Sequence, residues 1–326
     1  MNKKRLDYID ILKGIAILLV IFSHSGAEEW MMTNMGDFFV ALFFIASGYT
    51  YKYNNEPFSS VFLKRSRRLL KPYFFFSLVM LVLYKRFALI DFFGVLYSRY
   101  CIYPYHSDNN IILMGGGNPP LWFLTSMLTA FVPFYFLMKY ETKIKWLVVL
   151  FIVYTYVCQY LPILLPWSLD TACLTAAFIY TGVLLRRNDL YFEKVKCLPL
   201  ILMIAFALVC WLNGGDNLSV REYGNSFMLY YLGSVLATLF LLWVSKNMEK
   251  TFLAGLLIDF GRHSLVIFCI QMFLLRICHQ VFHSLMHFPT EGLIFYIISF
   301  VKVLLVAVVG MYISKALNRF MPWLLK

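Results

Sequence analysis

Long apolar runs recur along the whole chain, separated by short polar segments that carry charge, Pro, Gly and Asn. A run of about 20 apolar residues is the length of a membrane-crossing helix, whereas a membrane barrel would alternate every second residue. Ten such runs are predicted, at roughly 9–25, 37–53, 72–86, 119–139, 146–161, 169–185, 198–212, 227–244, 265–282 and 293–316. The third opens after Lys71-Pro72, and the fifth stops at Pro162 and Pro166. The long segment 87–118 contains a further apolar piece, 91–97, which reads as a short interfacial helix. The fold class that follows is all-α: a polytopic membrane bundle of about ten transmembrane helices, filling residues 1–326 as a single domain with no separate soluble domain.

Composition agrees with this pattern. Only 14% of the 326 residues are charged and 61% are hydrophobic, against about 25% charged in soluble domains. The first apolar run has no small-residue cleavage site and holds charges, so it reads as a retained helix. The net charge of +12 does not point to nucleic acid, because the basic residues gather beside helix ends. With the N-terminus inside, 23 of the 29 Lys and Arg fall in inner segments, which predicts both termini cytoplasmic. The six exceptions are Lys85, Arg86, Arg99, Arg221, Arg276 and Lys302. Seven cysteines stand singly with no CxxC, so neither a disulfide framework nor a metal site is expected. No internal repeat is evident.

The first run carries Asp10, Lys13 and His24 within an otherwise apolar helix. At about 100° per residue, Lys13 and His24 share one stripe about 16 Å apart along the axis, with Asp10 within about 60° of Lys13. Ionisable groups inside a membrane usually face a protein interior or a watery cavity. His24 suits a general base, since an unperturbed imidazole titrates near neutrality. Lys13 could meet an anionic ligand or pair with Asp10. The plain alternative is a snorkelling lysine, a capping aspartate and an interfacial histidine.

A second cluster, Lys64-Arg65-Ser66-Arg67-Arg68, precedes Lys71-Pro72. Arg65 and Arg68 share a helix face and could grip phosphates through guanidinium forks, or simply mark topology and touch anionic lipid. Ser47-Gly48 permits close helix approach. Asn118-Pro119-Pro120-Leu121-Trp122-Phe123-Leu124 reads as an aromatic anchor or an acceptor-site lining. His279, His283 and His287 fall at i, i+4, i+8, a spacing that raises zinc, although H-E-x-x-H is absent. Arg276, and to a lesser degree Asp170 and Lys302, are further charges in apolar runs that call for a partner or a polar cavity.

Taken together, R-x-x-x-x-D-x-x-K-G-I-A-I-L-L-V-x-x-x-H, F-F-x-x-S-G-Y, the R-x-x-R before Pro72, L-W-F-L and Gly261-Arg262-His263-Ser264-Leu265 resemble the acyltransferase-3 family. Trp167-Ser168-Leu169-Asp170 looks most like its fucose-4-O-acetylase-like branch. The resemblance implies an integral-membrane O-acyltransferase, with cytoplasmic acetyl-coenzyme A as donor and a sugar hydroxyl of a lipid-linked or surface glycan as acceptor. The basic-residue, ten-residue, histidine hallmark falls on Lys13 and His24, and the R-x-x-R on Arg65 and Arg68 as donor-binding residues. It further implies contact with membrane lipids, no metal, and residence in a bacterial cytoplasmic membrane. Two departures stand out: Gln271 occupies a position where members often have histidine, and the hydrolase-like domain fused to some members is not seen. The competing class is a transporter or glycolipid flippase, with Asp10, Lys13, Arg276 and Lys302 along a polar path.

Overall fold

The computed structural model describes residues 6–26, 36–53, 56–104, 110–113, 119–188, 197–287 and 292–325. Lys3, Lys4, Arg5, the Gly115–Asn118 loop, Lys194 and Pro289 fall outside the described residues. The helices are α1 Asp7–Ser23, α2 Phe38–Thr50, α3 Phe58–Leu83, α4 Leu89–Tyr97, α5 Trp122–Lys139 and α6 Ile144–Gln159. They continue as α7 Ala172–Arg187, α8 Leu198–Asn213, α9 Phe227–Met248, α10 Ala254–His279, α11 Gly292–Phe320 and α12 Pro322–Leu325. No β-strand occurs among the described residues, only isolated bridges at Cys101–Ile112 and Asn217–Glu222. Five helical stretches are long and apolar enough to cross a membrane by length and composition: Trp122–Lys139, Pro166–Arg187, Phe227–Met248, Ala254–Ser284 and Gly292–Phe320. The protein is a membrane helical bundle.

The chain forms two compact units: one of 1–43, 192–215 and 228–321, the other of 44–191, 216–227 and 322–326.

In the first unit α1 is the core helix. Ile9, Ile11, Leu12, Ala16, Ile17, Val20 and Ile21 are all at most 1% exposed, so the helix is covered nearly all round, as a sequence apolar on most faces demands. Two glycines set its closest neighbour. A Cβ on Gly14 would lie 2.2 Å from the Leu257 carbonyl oxygen, and one on Gly261 would lie 1.8 Å from the Asp10 carbonyl oxygen. Only the missing side chains let the α1 and α10 backbones meet. Helices α10 and α11 run antiparallel, with His263 Nδ1 2.8 Å from Ser314 Oγ and Gly310 against Ile267. The end of α1 reaches α11 where Lys302 Nζ donates to Ser25 O at 2.9 Å, so α1 runs parallel to α10. The ninth run therefore begins earlier than its hydropathy indicates. Gly261 and Arg262 lie inside α10, which starts at Ala254, because they pack and pair with α1 instead of forming a loop.

In the second unit α5 is central, with Phe131 and Phe134 fully buried. The same glycine device recurs between α2 and α7: a Cβ on Gly48 would lie 1.7 Å from Ile179 O, and one on Gly182 would lie 2.0 Å from Ile45 O. The close approach expected of Ser47-Gly48 is thus observed. Two readings are corrected. Helix α3 runs unbroken through Pro72, held by Lys71 Nζ to Trp323 O (3.2 Å) and Tyr73 OH to Val95 O (2.6 Å), which override the local break. Trp122 and Phe123 are core residues, 5% and 8% exposed, with Phe123 edge-on to Phe44, so they are not a surface anchor.

Candidate active site

His24 is the C-cap of α1, half-buried, its N–H donating to Ile21 O at 3.2 Å. Local hydroxyls finish the helix: Ser23 Oγ donates to Val20 O and Ser25 Oγ to Phe22 O. The next carbonyl, Ser25 O, is held from α11 by Lys302 Nζ at 2.9 Å and by Ser299 Oγ at 3.4 Å. Lys302 is 1% exposed, and its ammonium also lies 3.3 Å from His283 Nε2 and 5.4 Å from the Phe295 ring centre. An ammonium has only donors, so His283 accepts at Nε2 and carries its proton on Nδ1. The His279 ring is 4.5 Å from that of His283. A cation therefore holds the carbonyl that follows His24, with the His283 imidazole beside that cation and His279 beside His283. A lysine at a helix C-terminus also favours the helix dipole, so α1 ends on a fixed, charged clamp.

At the other end of α1, Asp10 is 3% exposed and accepts from Arg262 Nε at 3.4 Å, while Arg262 Nη2 reaches Asp7 at 3.2 Å. Lys13 is half-buried one turn on. The three predicted residues thus share one unbroken helix, with Asp10 and Lys13 near its start and His24 at its end. Arg262, which sequence reasoning left as topological charge, is the aspartates' partner.

The arginine pair lies in the second unit. Arg65 is half-buried, its guanidinium 4.2 Å from the Phe131 ring centre and 5.4 Å from that of Tyr51. Burial pulls its pKa down to about 10, so it stays charged at neutral pH. Arg68 is exposed, as is Arg67, and Lys64 pairs with Glu56 at 2.7 Å. The arrangement can present one stacked guanidinium and one free-standing one to a phosphate.

A family model described as an acyltransferase domain matches residues 6–313. The chain belongs to the acyltransferase-3 family. No curated protein and no solved structure gives a match. Membership decides between the two functional classes: this is an integral membrane acyltransferase, not a transporter lacking acyl transfer.

Three features of this acyltransferase were named in the sequence but given no partner or role there. Arg99, fully buried, donates to Asp170 Oδ1 at 2.5 Å, Ser168 Oγ at 3.0 Å, Leu165 O and Ser219 O. Arg221 donates to Asp170 Oδ2 at 3.1 Å and to the carbonyls of Ile163 and Leu161. Ser168 and Asp170 of the W-S-L-D motif therefore hold a structural clamp. The third is Gln271, fully buried in α10 with neither amide atom hydrogen-bonded among the described residues. A signal existed for the charged ones, since Arg99, Arg221 and Lys302 are all exceptions to the inside-positive pattern. Arg276, the charge weighted above Asp170 and Lys302 in the sequence, is exposed. His287 is exposed beyond the π-helical turn Gln280–Leu285, and no three-residue metal-holding group occurs among the described residues.

Proposed function

We propose that this acyltransferase is an O-acetyltransferase of a bacterial cytoplasmic membrane. It moves an acetyl group from cytoplasmic acetyl-coenzyme A to a sugar hydroxyl of a lipid-linked or surface glycan, with both chain termini on the cytoplasmic side. His24 is the general base. Its free imidazole nitrogen takes the hydroxyl proton as the hydroxyl oxygen attacks the thioester carbonyl. The C–S bond then breaks, an ester forms, and the imidazolium returns its proton to the departing thiolate, giving free coenzyme A. Arg65 and Arg68 bind the donor's phosphates, with Lys13 assisting.

One observation carries the reading: the family's histidine sits at the end of a buried helix, and the carbonyl that follows it is clamped by Lys302 and Ser299. A base must be held within a fraction of an ångström of its target, and this clamp fixes the backbone that bears it. The W-S-L-D motif gives no further support for a fucose-type acceptor, because its polar side chains are engaged with Arg99. Mass analysis of surface and lipid-linked glycans from cells with and without the gene tests the proposal. Loss of an acetyl increment on one glycan is expected, and unchanged acylation of every such polymer would remove it.

A further inference from the structure

Gln271 is 0% exposed, and neither Oε1 nor Nε2 has a hydrogen-bond partner among the described residues. A buried amide without partners is costly, and a leucine or methionine would fill the same volume at no polar cost. Its neighbours on α10, Phe268, Cys269, Ile270 and Leu275, are buried and offer it no strong partner. The serine hydroxyls without a hydrogen bond among the described residues, such as Ser66, Ser126 and Ser234, differ in kind. Each can rotate toward a carbonyl of its own helix turn, and a carboxamide has no such ready outlet for both its ends.

The level of Gln271 along the bundle is fixed by the glycine contact. Gly14 meets the carbonyl four residues before Gly261, and Gly261 meets the carbonyl four residues before Gly14. In a parallel pair this reciprocity puts the two glycines at one height. Ten residues on, about 15 Å further along each helix, stand His24 on α1 and Gln271 on α10. The second route gives the same answer. The pairings His263–Ser314 and Ile267–Gly310 put Lys302 about one turn beyond Gln271, and Lys302 holds the carbonyl next to His24.

We infer that the Gln271 carboxamide is a substrate-binding group at the level of the transfer step. Its ligand is a neutral group that offers an acceptor and a donor side by side. Given the donor and acceptor proposed above, on which this identification rests, that is an amide of the pantetheine arm or a hydroxyl pair of the sugar.

The test uses the full-length protein in liposomes containing the lipid and lipid-linked glycan extract of its own cells, with thiol release as the readout. Three donors are compared: acetyl-coenzyme A, S-acetyl-N-acetylcysteamine, which keeps one amide, and ethyl thioacetate, which has none. Gln271→Leu and Gln271→Met are expected to unfold at or above the wild-type temperature while losing roughly 5- to 150-fold in transfer, the range for a polar group left unpaired. A loss seen with the first two donors and absent with ethyl thioacetate assigns the amide to the pantetheine arm. An equal loss with all three, with a raised KM for the extract, assigns it to the acceptor. Wild-type rates in both variants, or a loss matched by a lower unfolding temperature, overturn the inference and leave Gln271 a packing residue. A wild type that releases no thiol removes the proposed donor and this identification together. Wild-type activity surviving in His24→Gln removes only the base assignment.

Discussion

An imidazole that fills space and one that takes a proton differ in what can replace them. Glutamine keeps polarity and some hydrogen bonding at position 24 but accepts no proton near neutral pH. His24→Gln and His24→Ala are therefore expected to insert and bind donor, yet lose about 10²–10⁴ in transfer. Activity in His24→Gln within a few-fold of wild type, at equal protein level, would return the histidine to a structural role. The donor side allows a similar separation. Arg65→Ala should weaken coenzyme A binding by roughly ten- to 150-fold, the worth of a charge-assisted hydrogen bond. Arg65→Lys keeps the charge but not the planar face that lies over Phe131 and Tyr51, so it should restore only part of the affinity. Undiminished affinity in both Arg65→Ala and Arg68→Ala, by equilibrium binding to the purified protein, would assign these arginines to topology.

Two helix pairs, α1 with α10 and α2 with α7, depend on backbone contact at glycine. Alanine at 14, 261, 48 or 182 would put a methyl carbon 1.7–2.2 Å from a carbonyl oxygen, which forces the helices apart. A cost of about 1–3 kcal/mol or more is expected from overpacking, read as a lower unfolding temperature. Gly255 is the control: nothing lies within 4 Å of its added Cβ, so Gly255→Ala in the first turn of α10 should be neutral or slightly stabilising. Run length in the sequence was enough to find α1, α2, α5 to α9 and α11 to within a few residues, because an apolar helix has one way to satisfy its backbone in a membrane. The miss at Pro72 and the late start given to α10 share a cause. Proline and the G-R-H-S segment are local break signals, and contacts from distant residues outweighed them.

At the scale of the molecule, the buried clamp of Arg99, Asp170 and Arg221 ties 96–101, 161–171 and 217–222 together. Asp170 has no exposed side-chain surface, so removing its charge leaves two guanidiniums without it. Asp170→Ala is expected to cost about 3–5 kcal/mol, measured as loss of cooperative unfolding temperature in detergent. Asp170→Asn with unchanged stability would show that the carbonyl acceptors alone suffice. Of the candidate site, the helix bearing Asp10, Lys13 and His24 was legible because its charges interrupt an apolar run. What Arg262, Lys302 and Gln271 lie against was not, since only the fold brings α10 and α11 to α1.

That pairing also orders events during synthesis. Helix α1 emerges before α10, with Asp10 in its sequence, but the Arg262 that pairs with it and the Gly261 that seats it follow about 250 residues later. At roughly 5–20 residues per second the ribosome needs on the order of 12–50 s to deliver them. For that interval the nascent helix carries an acidic group with no arginine from α10, and a lysine clamp for its far end does not yet exist. Helix α1 is then the segment most exposed to slipping out of the membrane or to capture by quality-control proteases. A chain released after residue 253, which lacks both Gly261 and Arg262, should be short-lived in cells, and Asp10→Asn should lengthen its lifetime by removing the carboxylate that Arg262 would meet.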